Sequence, residues 1–218
     1  MYSQASLIHD YLSITSLRIP DKIALVCDEQ RLTYGQIDQA SSKLALSLRN
    51  AGAQRGDRIA IFAHNSVETV ISFWAVMKAN CVLSIINPLN KEEKLNWMLN
   101  NAEAKIMITD MSLAKTVANT LHSVPSLTKV FISGSKGLAD IIQTVSGYKI
   151  DNHVDVLSWE DFTYQYGGSL PALPRENIIS DLAMIIYTSG TTGEPKGVMM
   201  NHENMLFATE SVNDYLNN

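Results

Sequence analysis

The sequence predicts an α/β fold in which strands alternate with helices to form a largely parallel sheet covered by helices. Short apolar runs such as "RIAIFA" and "KVFIS" alternate with segments whose apolar residues recur at helical spacing. Apolar residues make up 46% of the 218 residues, which is enough for a sizeable core. Because a helix between two strands of one sheet places those strands parallel, the alternation indicates a mostly parallel sheet.

The first elements follow from local signals along the chain. "KIALVCDEQRLTY" contains two short strands around a turn at residues 28–30. Thr33 and Gln36 have the spacing of a capping box at the start of a helix. After the strand "RIAIFA", Ser66 opens a second helix, and after the strand "CVLSII" we expect Asn90 to cap a third.

The second half of the chain is less regular. "KIMITD", a helix and "KVFIS" continue the alternation, but between residues 134 and 175 the pattern loosens, and "YGGSLPALPRE" is predicted to be a linker. A strand, "DLAMIIY", then leads through a Gly-rich loop to a last helix from about Asn201. We therefore predict a first α/β subdomain over residues 1–170 and the start of the next over residues 171–218.

Composition argues against several classes of function. The formal charge of −5 gives no basic surface for nucleic acid. "MYSQASLIHDYLSI" lacks the basic segment of a signal peptide, and the apolar stretch "FWAVMKANCVLSII" is too short to span a bilayer. Cys27 and Cys81 form no CxxC motif, and the five histidines lack metal-ligand spacing. These features predict a cytoplasmic protein with no membrane span and no zinc site.

The stretch with the clearest chemical character is "MIIYTSGTTGEPKGVMMNHENM", Met184 to Met205. Gly190 and Gly193 allow the backbone to point several N–H groups at one anion, and Lys196 adds a positive charge. The hydroxyl donors are Thr188, Ser189, Thr191 and Thr192. A strand that ends in such a loop suits a polyphosphate.

This loop differs from two common nucleotide motifs. The P-loop requires glycine before its lysine and Ser or Thr after it, whereas Pro195 precedes Lys196 and Gly197 follows it. The pattern G-x-G-x-x-G is also missing, so a dinucleotide site is not supported. A P-loop phosphotransferase is therefore the weakest of the functions considered.

The string "YTSGTTGEPKG", Tyr187 to Gly197, closely resembles the signature loop of the AMP-forming adenylating superfamily. That superfamily includes acyl-CoA synthetases, adenylation domains of peptide synthetases, and luciferases. "RLTYGQIDQASSKLALSLRNAGAQRGDRIAIFAHNS" and "FWAVMKANCVLSIINPLNKEEKL" are similar to two weaker family motifs, in the expected order. Asn80 stands where the family usually has glycine, which raises a question about the turn there.

The resemblance implies that a carboxylate attacks the α-phosphate of ATP to give an acyl-adenylate. The thiol of coenzyme A, or of an acyl or peptidyl carrier protein, then accepts the acyl group. Residues 188–193 and Lys196 would bind the β- and γ-phosphates, with Lys196 as the catalytic candidate and Thr188 near Mg²⁺. His202, just after the loop, is expected to have a surface or capping role.

Family members are more than twice as long as this chain, so we expect an N-terminal portion without the C-terminal domain and with little activity alone. Apolar surface on the last helix is then expected to be exposed. Two alternatives stay open. One is a freestanding ligase that loads an amino acid such as proline onto a peptidyl carrier protein. The other is a non-catalytic, truncated binding module.

Overall fold

A computed structural model describes residues 6–148, 153–164, 170–188 and 194–216. Its centre is a seven-stranded sheet with strand order β7-β6-β5-β3-β4-β8-β9, covered by helices, which confirms the predicted α/β class. The strands are β1 (Ile23–Cys27), β2 (Gln30–Thr33), β3 (Arg58–Phe62), β4 (Val82–Ile85), β5 (Ile106–Asp110), β6 (Lys129–Ser133), β7 (Asp155–Ser158), β8 (Leu182–Thr188) and β9 (Lys196–Asn201). The helices are α1 (Asp10–Arg18), α2 (Tyr34–Asn50), α3 (Val67–Lys78), α4 (Glu92–Asn101), α5 (Ala114–Thr120), α6 (Leu138–Val145), α7 (Trp159–Tyr164) and α8 (His202–Leu216).

The sheet is parallel from β7 to β8, and β9 is added antiparallel to β8 at one edge. Strands β1 and β2 form a separate antiparallel hairpin, as the sequence predicted. Chain order and sheet order differ in the centre. β4 lies on one side of β3, the chain then returns to the other side for β5, and β8 finally pairs with β4.

Both faces of the central strands are buried, because alternate side chains of a strand point to opposite faces. On β3, Ile59 and Ile61 pack with α2 and α3, whereas Ala60 and Phe62 pack with α4, α5 and α6. All four side chains are almost completely inaccessible to solvent. This two-sided burial explains why the central strands are continuous apolar runs.

The predicted helix starts are confirmed at two of three positions. Thr33 and Gln36 form the capping box, with reciprocal bonds of 2.8 and 3.2 Å, and the Ser66 hydroxyl caps α3. The prediction for Asn90 is wrong, because the N-cap of α4 is Lys91, whose side chain makes no capping bond. Asn90 lies in the preceding turn, where its Nδ2 donates to the carbonyl of Asn87 at 3.0 Å.

Two helices and two strands within residues 134–201 were not predicted. α6, β7 and α7 lie in the loosely patterned region, and β9 lies between the Gly-rich loop and α8. β7 and β9 are edge strands with partly exposed side chains, so neither shows the strong apolar run of a central strand. Pairing with a neighbouring strand, rather than local sequence, defines them.

β8 joins the sheet through its parallel pairing with β4, and β9 extends the same sheet. A boundary near residue 170 therefore stays a prediction. Along β9 and α8 several large apolar side chains are exposed, including Met199 at 70% and Phe207 at 72%, as expected for the last helix. Among the described residues, no helix combines the length and apolar character that crossing a membrane requires.

Candidate functional site

The predicted phosphate loop connects β8 to β9, so it is the loop of an antiparallel hairpin. Thr188 and Lys196 are directly paired across the hairpin, and the Thr188 hydroxyl donates to the Lys196 carbonyl at 3.4 Å. The predicted ligands Ser189, Gly190, Thr191, Thr192 and Gly193 lie outside the described residues. Thr188 and Lys196 therefore define the loop end of the hairpin, the name used below for this pair.

Both residues of the loop end are exposed. Among the described ion pairs, none engages the Lys196 ammonium, so its charge is available to an anion. A free ammonium and a hydroxyl at the end of a strand suit phosphate oxygens. The N-terminus of α8 is not close in sequence to the loop, because the six residues of β9 intervene.

Tyr187 and Gly197, the first and last residues of the signature string, form the next cross-strand pair of the hairpin. A Cβ atom at Gly197 would lie 3.0 Å from Ile185 Cγ2 and 3.2 Å from Tyr187 Cε1. Since few real Cβ atoms approach their neighbours so closely, glycine at this position leaves room for the Tyr187 ring beside the neighbouring strand.

The Tyr187 side chain ties β8 to α4. Its hydroxyl donates to Asn101 Oδ1 at 2.8 Å and lies 3.2 Å from the Met98 carbonyl, and its ring packs edge-on against Trp97 at 5.9 Å. Burial raises the pKa of the Tyr187 hydroxyl, so it stays protonated. Neither Tyr187 nor Gly197 was predicted to have a role, although both lie inside the motif.

A cleft of about 500 Å³ lies beside the loop, between α4 and the last described loop residues, Glu194 and Pro195. From α4 it is lined by Glu93, Lys94, Asn96, Trp97 and Asn100. The lining is mixed, with both charges, amides and one large aromatic ring. A ligand bound by the hairpin loop would lie next to this cleft.

The other end of the hairpin is strongly cross-linked to the rest of the protein around the buried side chains of Asn177 and His202, although residues 174–176 and 178–180 are themselves exposed. We call it the buried end and define it as residues 174–182 with His202. His202 is 0% exposed, its Nδ1 accepts from the Ile8 backbone N–H at 3.3 Å, and its Nε2 contacts the Asn177 amide at 3.2 Å. A surface role for His202 is therefore wrong. With both nitrogens engaged inside the protein, it joins the N-terminal segment to the hairpin.

Asn80 supplies the main contacts of the buried end. Its backbone has φ of 62°, the left-handed region in which glycine is usual, and asparagine tolerates it better than most residues. Its Nδ2 donates to the Pro174 carbonyl at 2.7 Å, and its Oδ1 accepts from the N–H groups of Glu176 and Asn177 at 3.1 and 3.2 Å. The question about this turn is thus resolved: the backbone keeps the glycine-like conformation and the side chain adds three bonds.

Charged contacts complete the buried end. Arg175 donates to both carboxylate oxygens of Asp10 at 2.7 Å, and Arg55 donates to Asp181 at 2.6 Å. Although burial opposes it, the bonds from Arg175 and from the backbone hold the pKa of Asp10 below its usual value. The predicted linker is consequently fixed to the body of the protein from residue 174 onward.

ATP and Mg²⁺ are the groups that the signature loop implies. The free Lys196 ammonium and the Thr188 hydroxyl fit phosphate oxygens, and the hydroxyl is a possible oxygen ligand for Mg²⁺. The described parts of the chain contain no group of three or more His, Cys, Asp or Glu that could hold a metal. Phosphate and water commonly supply most of the ligands of a magnesium ion.

The chain belongs to the AMP-binding enzyme family, whose sequence model matches residues 15–218. The resemblance found in the signature string is thereby confirmed. The medium/long-chain-fatty-acid–CoA/3-oxocholest-4-en-26-oate–CoA ligase of Mycobacterium marinum is 30% identical over 188 residues, which are 86% of this chain and 32% of that ligase. Tyrocidine synthase 2 of Brevibacillus parabrevis is 32% identical over 186 residues, which are 85% of this chain and 4% of the synthase.

A solved structure has the same fold. The anthranilate CoA ligase AuaEII in complex with anthranoyl-AMP matches with a TM-score of 0.80 at 22% identity, over 94% of this chain and 36% of the ligase. The chain thus spans about a third of the length of the CoA ligases it matches.

Proposed function

We propose that this chain is the phosphate-binding part of an enzyme that uses ATP to convert a carboxylic acid into an acyl-adenylate, releasing pyrophosphate. The acyl group then passes to a thiol, of coenzyme A or of a carrier protein. The observation that supports this most directly is the β8–β9 hairpin, which presents the signature loop at the carboxyl edge of the sheet with Lys196 exposed. Ligands of open parallel sheets generally bind at that edge.

In this proposal Lys196 and the loop donors hold the two phosphates that leave as pyrophosphate. Negative charge builds on those phosphates as the acid attacks, so a fixed ammonium stabilises the transition state more than bound ATP. Thr188 adds a hydroxyl at the same place and would supply an oxygen ligand to a magnesium ion that accompanies ATP. The ionised acid is itself the nucleophile, so this step requires no base from the protein.

The proposal extends to the kind of acid and the kind of thiol acceptor. The resemblance to a fatty-acid–CoA ligase favours a fatty acid with coenzyme A as acceptor. The resemblance to tyrocidine synthase 2, at similar identity, keeps an amino acid and a carrier protein as the second candidate. Cytoplasmic location and the subdomain boundary near residue 170 belong to the same proposal.

Exchange of labelled pyrophosphate into ATP tests the first step. It should be measured with fatty, aryl and amino acids including proline, on the 218-residue chain and on the product of the whole reading frame that contains it. We expect one class of acid to support exchange in the whole product. Exchange with no acid in either protein would contradict the proposal and favour the non-catalytic binding module.

The role of Lys196 is tested in whichever protein shows exchange. Lys196→Ala should lower the rate about 100-fold, the typical effect of losing one charge-stabilising donor. Lys105→Ala is the matched control, because Lys105 is also exposed but precedes β5, at the opposite edge of the sheet. Equal rates in the two variants would remove Lys196 from the mechanism.

A further inference from the structure

His64 and Asp110 meet at the carboxyl edge of the sheet, just beyond β3 and at the end of β5. His64 Nδ1 lies 2.9 Å from Asp110 Oδ2, and the His64 backbone N–H donates to the same oxygen at 2.9 Å. The Thr69 hydroxyl donates to the His64 carbonyl at 2.7 Å. Both the backbone and the ring of this half-exposed histidine are therefore held in place.

Asp110 is in turn fixed by its second oxygen. Oδ1 accepts from the backbone N–H of Ser112 at 2.9 Å, from that of Leu113 at 3.2 Å, and from the Ser112 hydroxyl. Although burial opposes it, the bonds from Ser112 and His64 hold the pKa of Asp110 below its ordinary value. The carboxylate is therefore ionised at neutral pH and can only accept hydrogen bonds.

An ionised acceptor at Nδ1 determines the tautomer of the neutral ring. The proton lies on Nδ1 and the lone pair on Nε2. Among the hydrogen bonds of the described residues none uses His64 Nε2, and the side chain is 53% exposed. His64 thus presents an oriented basic nitrogen at the surface.

The position of this nitrogen relates it to the phosphate loop. The chain leaves β3 for β4 on one side and returns to the other side for β5, so His64 lies where the strand order reverses, the usual ligand site of open α/β sheets. Ile61 of β3 is level with Ile85 of β4, which is level with Ile186 of β8. Two strand spacings, about 10 Å, separate β3 from β8 at these rows. His64 lies just beyond the end of β3, on the side of β5.

We propose that His64 is the base that deprotonates the thiol acceptor in the second step, with Asp110 as its positioning residue. This rests on the proposed function. If the loop binds the phosphates of ATP, the acyl-adenylate would lie along the carboxyl edge of the sheet, and a thiol that approaches its carbonyl from the β3–β5 side would pass His64.

The step requires no reactant other than the protein, the acyl-adenylate and the thiol. Nε2 takes the proton as the S–H bond breaks, and the sulfur forms a bond to the acyl carbon. The bond between that carbon and the phosphate oxygen then breaks, and AMP leaves with the electron pair. The imidazolium afterwards releases its proton to solvent.

The same contacts could simply hold β3 and β5 together, and a variant separates the two roles. In His64→Asn the amide Nδ2 can replace Nδ1–H as donor to Asp110, while the basic nitrogen is lost. A structural role would survive this change and a base would not. His122→Asn is the matched control, since it makes the same change at another exposed histidine, which lies between α5 and β6 at the opposite edge of the sheet.

The experiment measures both half-reactions in the protein that shows pyrophosphate exchange. Pre-formed acyl-adenylate on the enzyme is mixed with coenzyme A or with free pantetheine, and thioester formation is followed in single turnovers from pH 6.5 to 9.5. We expect His64→Asn to slow thioester formation about 100-fold at pH 7 relative to exchange, and His122→Asn to stay within about threefold of the parent.

The pH profile gives the sharper result. The thiolate is the reactive form of a thiol with pKa near 8.5, so the deficit of His64→Asn should shrink at least tenfold as the pH rises to about 9.5. A rate equal to the parent, or a deficit unchanged with pH, would overturn the assignment of His64. Slower transfer to coenzyme A alone would also overturn it, because a base for the thiol must act on pantetheine too. Absence of pyrophosphate exchange would instead overturn the proposed function on which the inference rests.

Discussion

The two ends of the β8–β9 hairpin differ in almost every physical respect. At the buried end, His202 and Asn80 are inaccessible to solvent and each makes bonds to segments distant in sequence. At the loop end, Thr188 and Lys196 are exposed and joined mainly to each other. One hairpin therefore combines a rigid attachment with an accessible binding element.

The difference teaches how such a loop is positioned. A phosphate-binding loop must be accessible to ATP. Its residues therefore bury little surface, and their hydrogen-bond donors must stay available for the phosphates instead of bonding to the protein. Its location is then determined by the strands on either side, and those strands are fixed at the far end. Variants at the two ends should accordingly separate stability from chemistry.

The largest loss of stability is expected for Asn80→Ala. It removes three side-chain bonds, leaves their partner groups at Pro174, Glu176 and Asn177 without them, and places alanine at a positive φ. We expect the free energy of unfolding to fall by about 3 kcal/mol. Urea unfolding of the chain followed by circular dichroism measures it.

Asn80→Gly is the control for the backbone contribution. It keeps the freedom to adopt a positive φ and loses only the side-chain bonds, so it should cost about 1 kcal/mol less than Asn80→Ala. If both variants were as stable as the parent, the buried end would not be the rigid attachment described here.

Acid should weaken the buried end next. Burial is the main cause that lowers the pKa of His9 to about 4, and burial also lowers the pKa of His202. The groups that face His9 are Asp10, His202, Arg175 and Lys78. Because an unfolded histidine has its pKa near 6.5, the unfolded chain binds protons that the native chain does not, and stability is lost as the pH falls below 6.5.

For His9 this linkage corresponds to about 2 kcal/mol between pH 7 and pH 4.5. Urea unfolding at the two pH values measures it, and His9→Gln should reduce the dependence. An unfolding free energy that is the same at pH 7 and pH 4.5 would contradict the burial of a neutral histidine at this junction.

A smaller loss of stability is expected for a substitution in the middle of the hairpin. Gly197→Ala places a Cβ atom against Ile185 and the Tyr187 ring, so one of them must shift. We expect a loss of about 1.5 kcal/mol, typical of mild overpacking, in a thermal or urea unfolding experiment. Val198→Ala, at an exposed neighbouring position, should change stability by less than about 0.5 kcal/mol and is the control.

The smallest effect is expected at the loop end. Lys196→Ala removes an exposed side chain with no ion pair among the described residues, so the free energy of unfolding should change by less than about 0.5 kcal/mol. Its fluorescence-monitored unfolding curve should overlay that of the parent. A clear destabilisation would mean that Lys196 supports the hairpin, and the comparison of the two ends would fail.

The sequence could predict the parts of the molecule that local patterns determine. Ile59 to Phe62 form an apolar run because both faces of β3 are buried, and Thr33 with Gln36 form a capping box because their spacing suffices. The signature string likewise identified Thr188 and Lys196 as candidates, a prediction that the structure does not test.

The remainder depends on contacts between distant segments. β9 is a strand because β8 is beside it, and His202 is buried because Ile8 and Asn177 reach it. The His64–Asp110 pair joins residues 46 positions apart, and neither stood out in its own segment. No pattern within one segment could have indicated these arrangements.

The pairing of β8 with β4 has a consequence for how the protein folds. Leu83 is level with Met184, so this contact closes a loop of roughly a hundred residues, whereas β3, β4 and β5 follow one another closely along the chain. Closing a long loop costs more entropy and slows the contact that closes it. During synthesis, one edge of β4 stays unpaired until β8 has left the ribosome. The strand that ends in the signature loop is therefore expected to be among the last to join the sheet.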